Sequence, residues 1–320
     1  MKAMILDDNR NFSWQELPDP VPGPGEVLIR VAAASVNRAD LLQRDGCYAS
    51  PEGWPAWCGL EVAGIVVSAP KDANVHSGDK VCALLGGGGY SELVTAPAEM
   101  VLPIPENLSL EEAASIPEVW ATAYFNLFLE TDCLTPADTL YLTAGASGIG
   151  IAAIQLAQKV GAKVVATVGS PEKAEFVKGL GVDRVLDYRN DDIFSVLKET
   201  APTITLDCVG GKWMGLLLPT MAFQGRWIML ATLGGAETRI DLEQIWRKNL
   251  RLVGSTLRNR SIEEKGKILR QLQAKCWPLF TTGDFVTHIH AVLPIQEAEK
   301  AQGILRRNEN IGKILLSFDR

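Results

Sequence analysis

The sequence predicts an α/β protein in which a parallel sheet, wound with helices on both faces, is joined to a β-rich barrel. Three observations carry this. From Thr139 onward, apolar runs near 139–143, 163–168, 183–187, 203–208, 226–231 and 251–257 alternate with helical stretches. Such alternation implies parallel strands covered on both sides. Residues before about 105 read instead as short strands broken by Pro-Gly and Gly-Asp turns, the pattern of a compact barrel. Finally, Thr139–Leu156 (TLYLTAGASGIGIAAIQL) passes from an apolar run through a glycine turn into apolar residues at helical spacing. That is one strand–turn–helix unit.

In order along the chain, Pro18–Gly25 (PDPVPGPG) is a turn-rich connection, and strands follow at 27–31, 59–68 and 80–85. Gly86–Gly89 leads into Tyr90–Thr95 (YSELVT), a strand rather than a helix, so the four glycines read as a flexible inter-strand loop and not as a phosphate loop. Ser109 and Glu112 make a capping box for a short helix, and Pro117 opens a longer one through Glu130. After Arg258, Ser261 and Glu264 repeat the box ahead of a helix to about Cys276. Strands at 286–292 and 311–317 then flank a helix near 295–307, and having no place in the alternation they are expected to return to the first domain. The expected domains are 1–117 with 258–320, and 118–257.

The 320 residues, 47% of them apolar, are enough for two cores. A net charge of −7 without a long basic run argues against nucleic acid as the main partner. No signal pattern opens the chain and no run approaches the ~20 apolar residues of a membrane span, so a cytoplasmic protein is expected. Six scattered cysteines (47, 58, 82, 133, 208 and 276) form no C-x-x-C pair, and burial as small apolar residues is the reading for each. His288 and His290 share a face of their strand but have no third ligand near them in sequence, so no metal site is expected.

The turn at Gly145, Ser147, Gly148 and Ile149 is read as a dinucleotide cradle. Small residues let the backbone approach a pyrophosphate, and the free amides and positive end of the following helix attract its charge. Gly145, Gly148 and Gly150 do not follow the standard G-x-G-x-x-G spacing, but Gly161 ends the helix and Lys163–Val168 supplies the next strand. The β-α-β unit then has the ~30-residue length such a motif requires. NAD-specific sites place an acid ~20 residues beyond the turn. Here Gly169 and Ser170 stand there, with Lys173 in the following loop and first helical turn, so the expected cofactor is NADPH. Ser170 and Lys173 also have an ordinary reading, a helix cap followed by a solvated lysine, and Glu172 stands close by.

Ser35–Gln43 (SVNRADLLQ), Gly59–Gly64 (GLEVAG), Ile116–Tyr124 (IPEVWATAY), Ala144–Leu156, Gly254–Arg258 (GSTLR) and Ile311–Leu315 (IGKIL) together resemble the zinc-independent quinone oxidoreductases. These are the zeta-crystallin-like branch of the medium-chain dehydrogenase/reductase superfamily. The resemblance implies a GroES-like barrel domain, a Rossmann domain, and a nicotinamide cofactor in the cleft between them. Zinc enzymes of the superfamily carry a histidine where this chain has Leu60 and a cysteine where it has Asn37, so no zinc is expected.

The resemblance places Asn37 and Tyr48 at the nicotinamide and quinone pocket. Tyr48 either hydrogen-bonds a quinone oxygen or walls the pocket, and Asn37 orients the cofactor. Arg38 and Asp40 beside it serve as well for a local ion pair or cap. Thr122 is set near the nicotinamide ribose, or bonds its own helix backbone. Tyr188 is set near the adenosine phosphate, and Leu230, Leu257 and Lys313 along the cofactor. Trp54, Trp57 and Trp120 offer stacking surface or simple packing. Relatives often read A-x-x-G-x-x-G at the turn, where this chain has Ser147 in the middle position, a residue still small and able to supply an N–H. The activity implied is NADPH-dependent reduction of quinones. Reduction of an enone or alkenal double bond, or cofactor binding with little turnover, are the alternatives. A homodimer paired through the Rossmann edge strand at 251–257 is also expected.

Overall fold

The structure, a computed structural model, describes residues 1–130 and 132–318. The chain forms two compact units, one of residues 1–121 together with the chain from Leu257 on, the other Thr122–Thr256.

The first unit opens with β1 (Lys2–Leu6) and β2 (Phe12–Glu16), an antiparallel pair, then β3 (Glu26–Val36), α1 (Arg38–Arg44), β4 (Glu61–Ser68), β5 (Lys80–Leu84), β6 (Leu93–Pro97) and β7 (Val101–Pro103). The short helix α2 (Leu110–Ala114) and the start of α3 (Pro117–Tyr124) complete its first segment. α2 begins at the capping box read from the sequence: Ser109 Oγ accepts from Glu112 N at 3.1 Å while the Glu112 carboxylate accepts from Ser109 N at 2.8 Å. Alternate residues of the long strand, Val27, Ile29 and Val31, turn inward and pack with Val62, Val66, Val81 and Val94.

The second unit is a six-stranded parallel sheet. Its elements in order are β8 (Thr139–Leu142), α4 (Gly148–Val160), β9 (Lys163–Val168), α5 (Pro171–Gly179), β10 (Arg184–Asp187), α6 (Ile193–Thr200), β11 (Ile204–Asp207), α7 (Gly211–Leu217), β12 (Arg226–Met229), α8 (Leu242–Arg247) and β13 (Arg251–Gly254). The strand order is β10-β9-β8-β11-β12-β13. The direction of winding therefore changes between β8 and β11, and in open sheets of this kind ligands bind beyond the carboxyl ends of the strands at such a point. β13 is an edge and ends at Gly254, earlier than the run to 257 suggested.

The chain then returns to the first unit through α9 (Ile262–Thr282), β14 (Ile289–Pro294), α10 (Ala298–Arg306) and β15 (Lys313–Ser317). β15 pairs with β3, so the first unit's large sheet runs β14-β15-β3-β4-β5-β7, with β6 also on β3. α9 extends to Thr282, beyond Cys276, despite Pro278. Its far end buries Phe280 beside Trp120, with ring centroids 4.7 Å apart, and Trp120 is 2% exposed. Trp120 is thus a packing residue.

Several expectations are corrected. Residues 86–89 are buried, not a loose loop. The strand expected at 90–95 begins at Leu93, because Ser91 makes only an isolated bridge to Ala3. Helix α3 stops at Tyr124 and continues to Leu129 as a wider turn. Cys58, Cys82 and Cys276 are buried as read, but Cys47 and Cys133 are exposed, since both lie in connections outside the sheets. His288 precedes β14 and only His290 lies on it. Among the described residues no helix is long and apolar enough to cross a membrane, and no group of three or more His, Cys, Asp or Glu side chains could hold a metal ion.

Candidate functional site

In the second unit, β8 delivers the chain to the glycine turn and α4 carries it away. Ser147 is the N-cap of α4: its Oγ accepts from Gly150 N at 3.1 Å. Its own amide donates to Ala144 O at 2.9 Å, so its contribution is to shape the turn. The first amides of a helix have no partner within it. Here Gly148 and Ile149, the first two residues of α4, fill that place, and among the described residues no acceptor takes their N–H groups. Gly145 N, by contrast, ties the turn to β9 through Thr167 O at 2.8 Å. A Cβ at Gly150 would lie 2.5 Å from Gly145 O, so the tight turn requires glycine there.

Past β9 the chain turns at Gly169 and Ser170, where Ser170 Oγ caps α5 by accepting from Lys173 N at 3.3 Å, with Pro171 at the first helical position. The Tyr188 ring covers Gly169, where a Cβ would fall 2.7 Å from Tyr188 Cε1. Tyr188 is 43% exposed, and the Arg189 guanidinium lies 5.6 Å from its ring centroid. The sequence reading missed Arg189, although a basic residue directly after Tyr188 was a visible signal. Leu230 follows β12, its amide bonded to Asp207 O at 2.8 Å. Buried Asp207 also accepts from Thr143 Oγ1 at 3.2 Å and from Trp227 Nε1 at 3.1 Å, linking residues at or near the ends of β8, β11 and β12. Thr122 opens the second unit; its carbonyl accepts from Asn126 Nδ2 at 2.8 Å. The turn thus offers free amides, a close backbone and no carboxylate directly after β9. These features fit a dinucleotide pyrophosphate and adenosine end.

In the first unit, a group of buried charges surrounds the start of α1. Lys313, on β15, donates from Nζ to Glu61 Oε1 at 2.8 Å, to Asn37 Oδ1 at 2.7 Å and to Val36 O at 3.5 Å. Its three hydrogens therefore have three acceptors within this unit. Asn37 Nδ2 donates back to Glu61 Oε1 at 3.0 Å, and the other Glu61 oxygen accepts from Glu118 N at 2.8 Å. Asn37 is thereby fixed on both sides of its amide. Lys313 and Glu61 are 6% and 0% exposed, and a buried ion pair holds only when its remaining donors and acceptors are also satisfied, as here. Asp40, fully buried, accepts from Gly59 N and Asn37 N, each at 2.8 Å, so it is a cap. Burial, the largest cause, raises its pKa to about 6 despite those bonds. Arg38 bonds Asn308 on the outside.

Tyr48 lies on the segment after α1. The Arg258 guanidinium sits 4.2 Å from its ring centroid and donates from Nη2 to Ala49 O at 3.0 Å. Arg258 Nε and Nη1 are buried without a hydrogen-bond partner, facing a ring in place of an oxygen. Lys265 Nζ holds the Arg258 backbone, donating to Arg258 O at 2.8 Å. Leu257, just ahead of it, is buried. Gln43 fixes the same segment by bonds to Ser50 Oγ and Ala56 O, at 2.8 and 2.9 Å, and Trp57 bonds Gly88 O at 3.0 Å. Lys313, Asn37 and Glu61 are brought together. Glu61, Glu118 and Arg258, although each lies in a quoted motif, were not singled out by the sequence reading.

Two family models match the chain: "Alcohol dehydrogenase GroES-like domain" over residues 23–106 and "Zinc-binding dehydrogenase" over 148–274. The human synaptic vesicle membrane protein VAT-1 homolog is 29% identical over 93% of this chain and 80% of its own length. The bovine quinone oxidoreductase-like protein 2 is 28% identical over 99% and 92%. Among solved structures, the quinone oxidoreductase of Thermus thermophilus, described with its NADPH complex, superimposes with a TM-score of 0.85. It is 29% identical and matches 99% of this chain and 100% of that one. The chain is an oxidoreductase of the medium-chain dehydrogenase/reductase superfamily and belongs among its quinone oxidoreductase-like proteins. The first unit is the GroES-like domain and the second the Rossmann-like domain that binds nicotinamide cofactors in this fold.

Proposed function

We propose that the protein reduces quinones with NADPH, without zinc. The observation that carries the cofactor half is the nucleotide unit itself: free Gly148 and Ile149 amides at the start of α4, and Gly169-Ser170 in place of an acid after β9. With no carboxylate there to repel a 2′-phosphate, Lys173, Tyr188 and Arg189 supply its surroundings, and the NADPH complex of the Thermus relative agrees with this. In the catalytic unit, Leu60 is apolar and Asn37 is fixed by Lys313 and Glu61, so neither is arranged as a metal ligand. When bound, the dihydronicotinamide supplies hydride.

The protein's own residues then have to hold a flat acceptor and see that protons reach it. Tyr48, held face-on by Arg258, walls that place. Asn37 is rigid enough to orient a nicotinamide. The test is NADPH consumption against ortho-quinones, para-quinones and enones: quinones should be the better acceptors, and enone turnover with inert quinones would replace the reading by double-bond reduction. We also propose a homodimer through the exposed edge β13, where Leu252 is 38% exposed. Light scattering should give twice the chain mass, and a monomer at micromolar concentration would contradict the pairing.

A further inference from the structure

The charges around Asn37 include one carboxyl that nothing yet described uses. Glu118 stands in the first turn of α3, in the same unit as Asn37, Tyr48 and Arg258. Its backbone is anchored, since Glu118 N donates to Glu61 Oε2 at 2.8 Å. Its side chain is only partly buried, and no hydrogen bond reaches its carboxyl oxygens among the described residues. Every neighbouring acid is occupied: Glu61 by Lys313 and Asn37, and Asp40 by two amides. Of the three, Glu118 has a fixed stem and a free acid group.

We propose that Glu118 is the proton donor of the catalytic unit, giving its proton to the substrate anion left by hydride transfer. This rests on the reading of the protein as a nicotinamide-dependent reductase. The step balances: hydride carries two electrons from the dihydronicotinamide to the acceptor, leaving a hydroquinone anion or an enolate. The O–H bond of Glu118 breaks as a new O–H or C–H bond forms on that anion, and water returns a proton to the carboxylate.

The surroundings suit an acid that is still protonated at neutral pH. Removal from water is the first cause that raises the Glu118 pKa, to about 7, and the Glu61 carboxylate is the second. Asp40 on α1 acts in the same direction, while Lys313 on β15 and Arg258 ahead of α9 oppose it. Lys265 on α9, whose ammonium is turned to Arg258 O, is the remaining charge that senses Glu118. A donor of this strength is matched to the operating pH, where a general acid works best. An acid in the first turn of a helix also has a purely structural reading, favourable interaction with the helix dipole. That reading predicts a low pKa and no part in turnover.

The test compares wild type with Glu118→Gln, which keeps the backbone bond to Glu61, and with Glu118→Asp. In the cofactor-free protein, infrared difference titration should show a carboxyl with a midpoint near pH 7 that is missing in Glu118→Gln. In turnover, wild-type kcat should fall as pH rises through about 7. Glu118→Gln should lose that limb together with about tenfold to a hundredfold in kcat at pH 6.5, with the KM for NADPH little changed. Glu118→Asp should restore part of the limb. If wild type reduces its acceptor and Glu118→Gln does so with the same kcat and the same limb, or if no carboxyl titrates near 7, the assignment of Glu118 falls alone. If wild type consumes no NADPH with any quinone or enone, the reading of function falls and takes the donor role with it.

Discussion

Helix α4 of the second unit and helices α1 and α3 of the first treat their opening amides in opposite ways. At α4, Gly148 and Ile149 open the helix with N–H groups that no acceptor among the described residues takes, and the side-chain cap is the uncharged Ser147. At α3 the Glu118 amide is taken by Glu61, and ahead of α1 the Asn37 amide is taken by Asp40. A helix start left open attracts an anion from outside. A start filled by a buried carboxylate has its negative charge built in, and that charge must be balanced inside the protein, which Lys313 does at 2.8 Å. The nucleotide unit thus leaves backbone donors open at α4, and the catalytic unit holds its geometry through side-chain charge.

If this contrast is right, the two units should break differently. Lys313→Met leaves Glu61 buried without its cation and should cost about 3–5 kcal/mol of stability by urea denaturation. Adding Glu61→Gln, which removes the charge and keeps a side-chain oxygen as acceptor, should recover part of the loss, and a cost below ~1 kcal/mol for Lys313→Met alone would show that the pair does not hold the charge. In the nucleotide unit, Gly150→Ala pushes a methyl toward Gly145 O and should weaken NADPH binding at least tenfold without touching the charged network; unchanged affinity would mean that the turn is not the cradle.

A smaller effect is expected at Tyr48. Tyr48→Phe keeps the ring against Arg258 and should lower quinone turnover less than tenfold, since one net hydrogen bond is worth ~1 kcal/mol. A hundredfold loss with normal NADPH affinity would assign the hydroxyl a direct part. The smallest effect is in stability against pH. Asp40 and Glu118 bind protons more tightly folded than unfolded, their values being raised from 3.8 to about 6 and from 4.5 to about 7. Their contribution is therefore fully present below the unfolded values and is lost as pH rises through the folded ones. The melting temperature should decline between pH 5 and 7, less steeply in Glu118→Gln, and an equal slope in both would remove Glu118 from that account.

The fold was legible because its signals are local. Alternating apolar runs marked the parallel sheet, and capping boxes at Ser109 and Ser261 marked helix starts to the residue. Strand ends were less so: β13 stops at Gly254 although Ser255, Thr256 and Leu257 continue an acceptable strand pattern, since pairing with β12 decides the boundary. The glycines at 86–89 look loose in sequence and are buried under the segment from Trp54 to Trp57, a contact that local pattern does not encode.

In the candidate site, the shape of the turn at 145–149 and of the segment at 169–170 was readable because tight backbone turns need small residues in order. The network of Glu61, Lys313, Asn37 and Glu118 was not. Its members lie on β4, β15, the start of α1 and α3, and only the return of β15 to β3 brings Lys313, 252 residues away in sequence, to Glu61.

Equilibrium titration of NADPH and NADH into the cofactor-free protein measures whether the nucleotide unit selects NADPH. A charge-assisted contact is worth roughly 1.5–3 kcal/mol, so NADPH should bind at least about tenfold more tightly than NADH. Lys173→Ala should weaken NADPH by about tenfold to a hundredfold while leaving NADH nearly unchanged. Tighter binding of NADH by the wild-type protein, or equal weakening of both cofactors by the substitution, would contradict selection of NADPH by this unit.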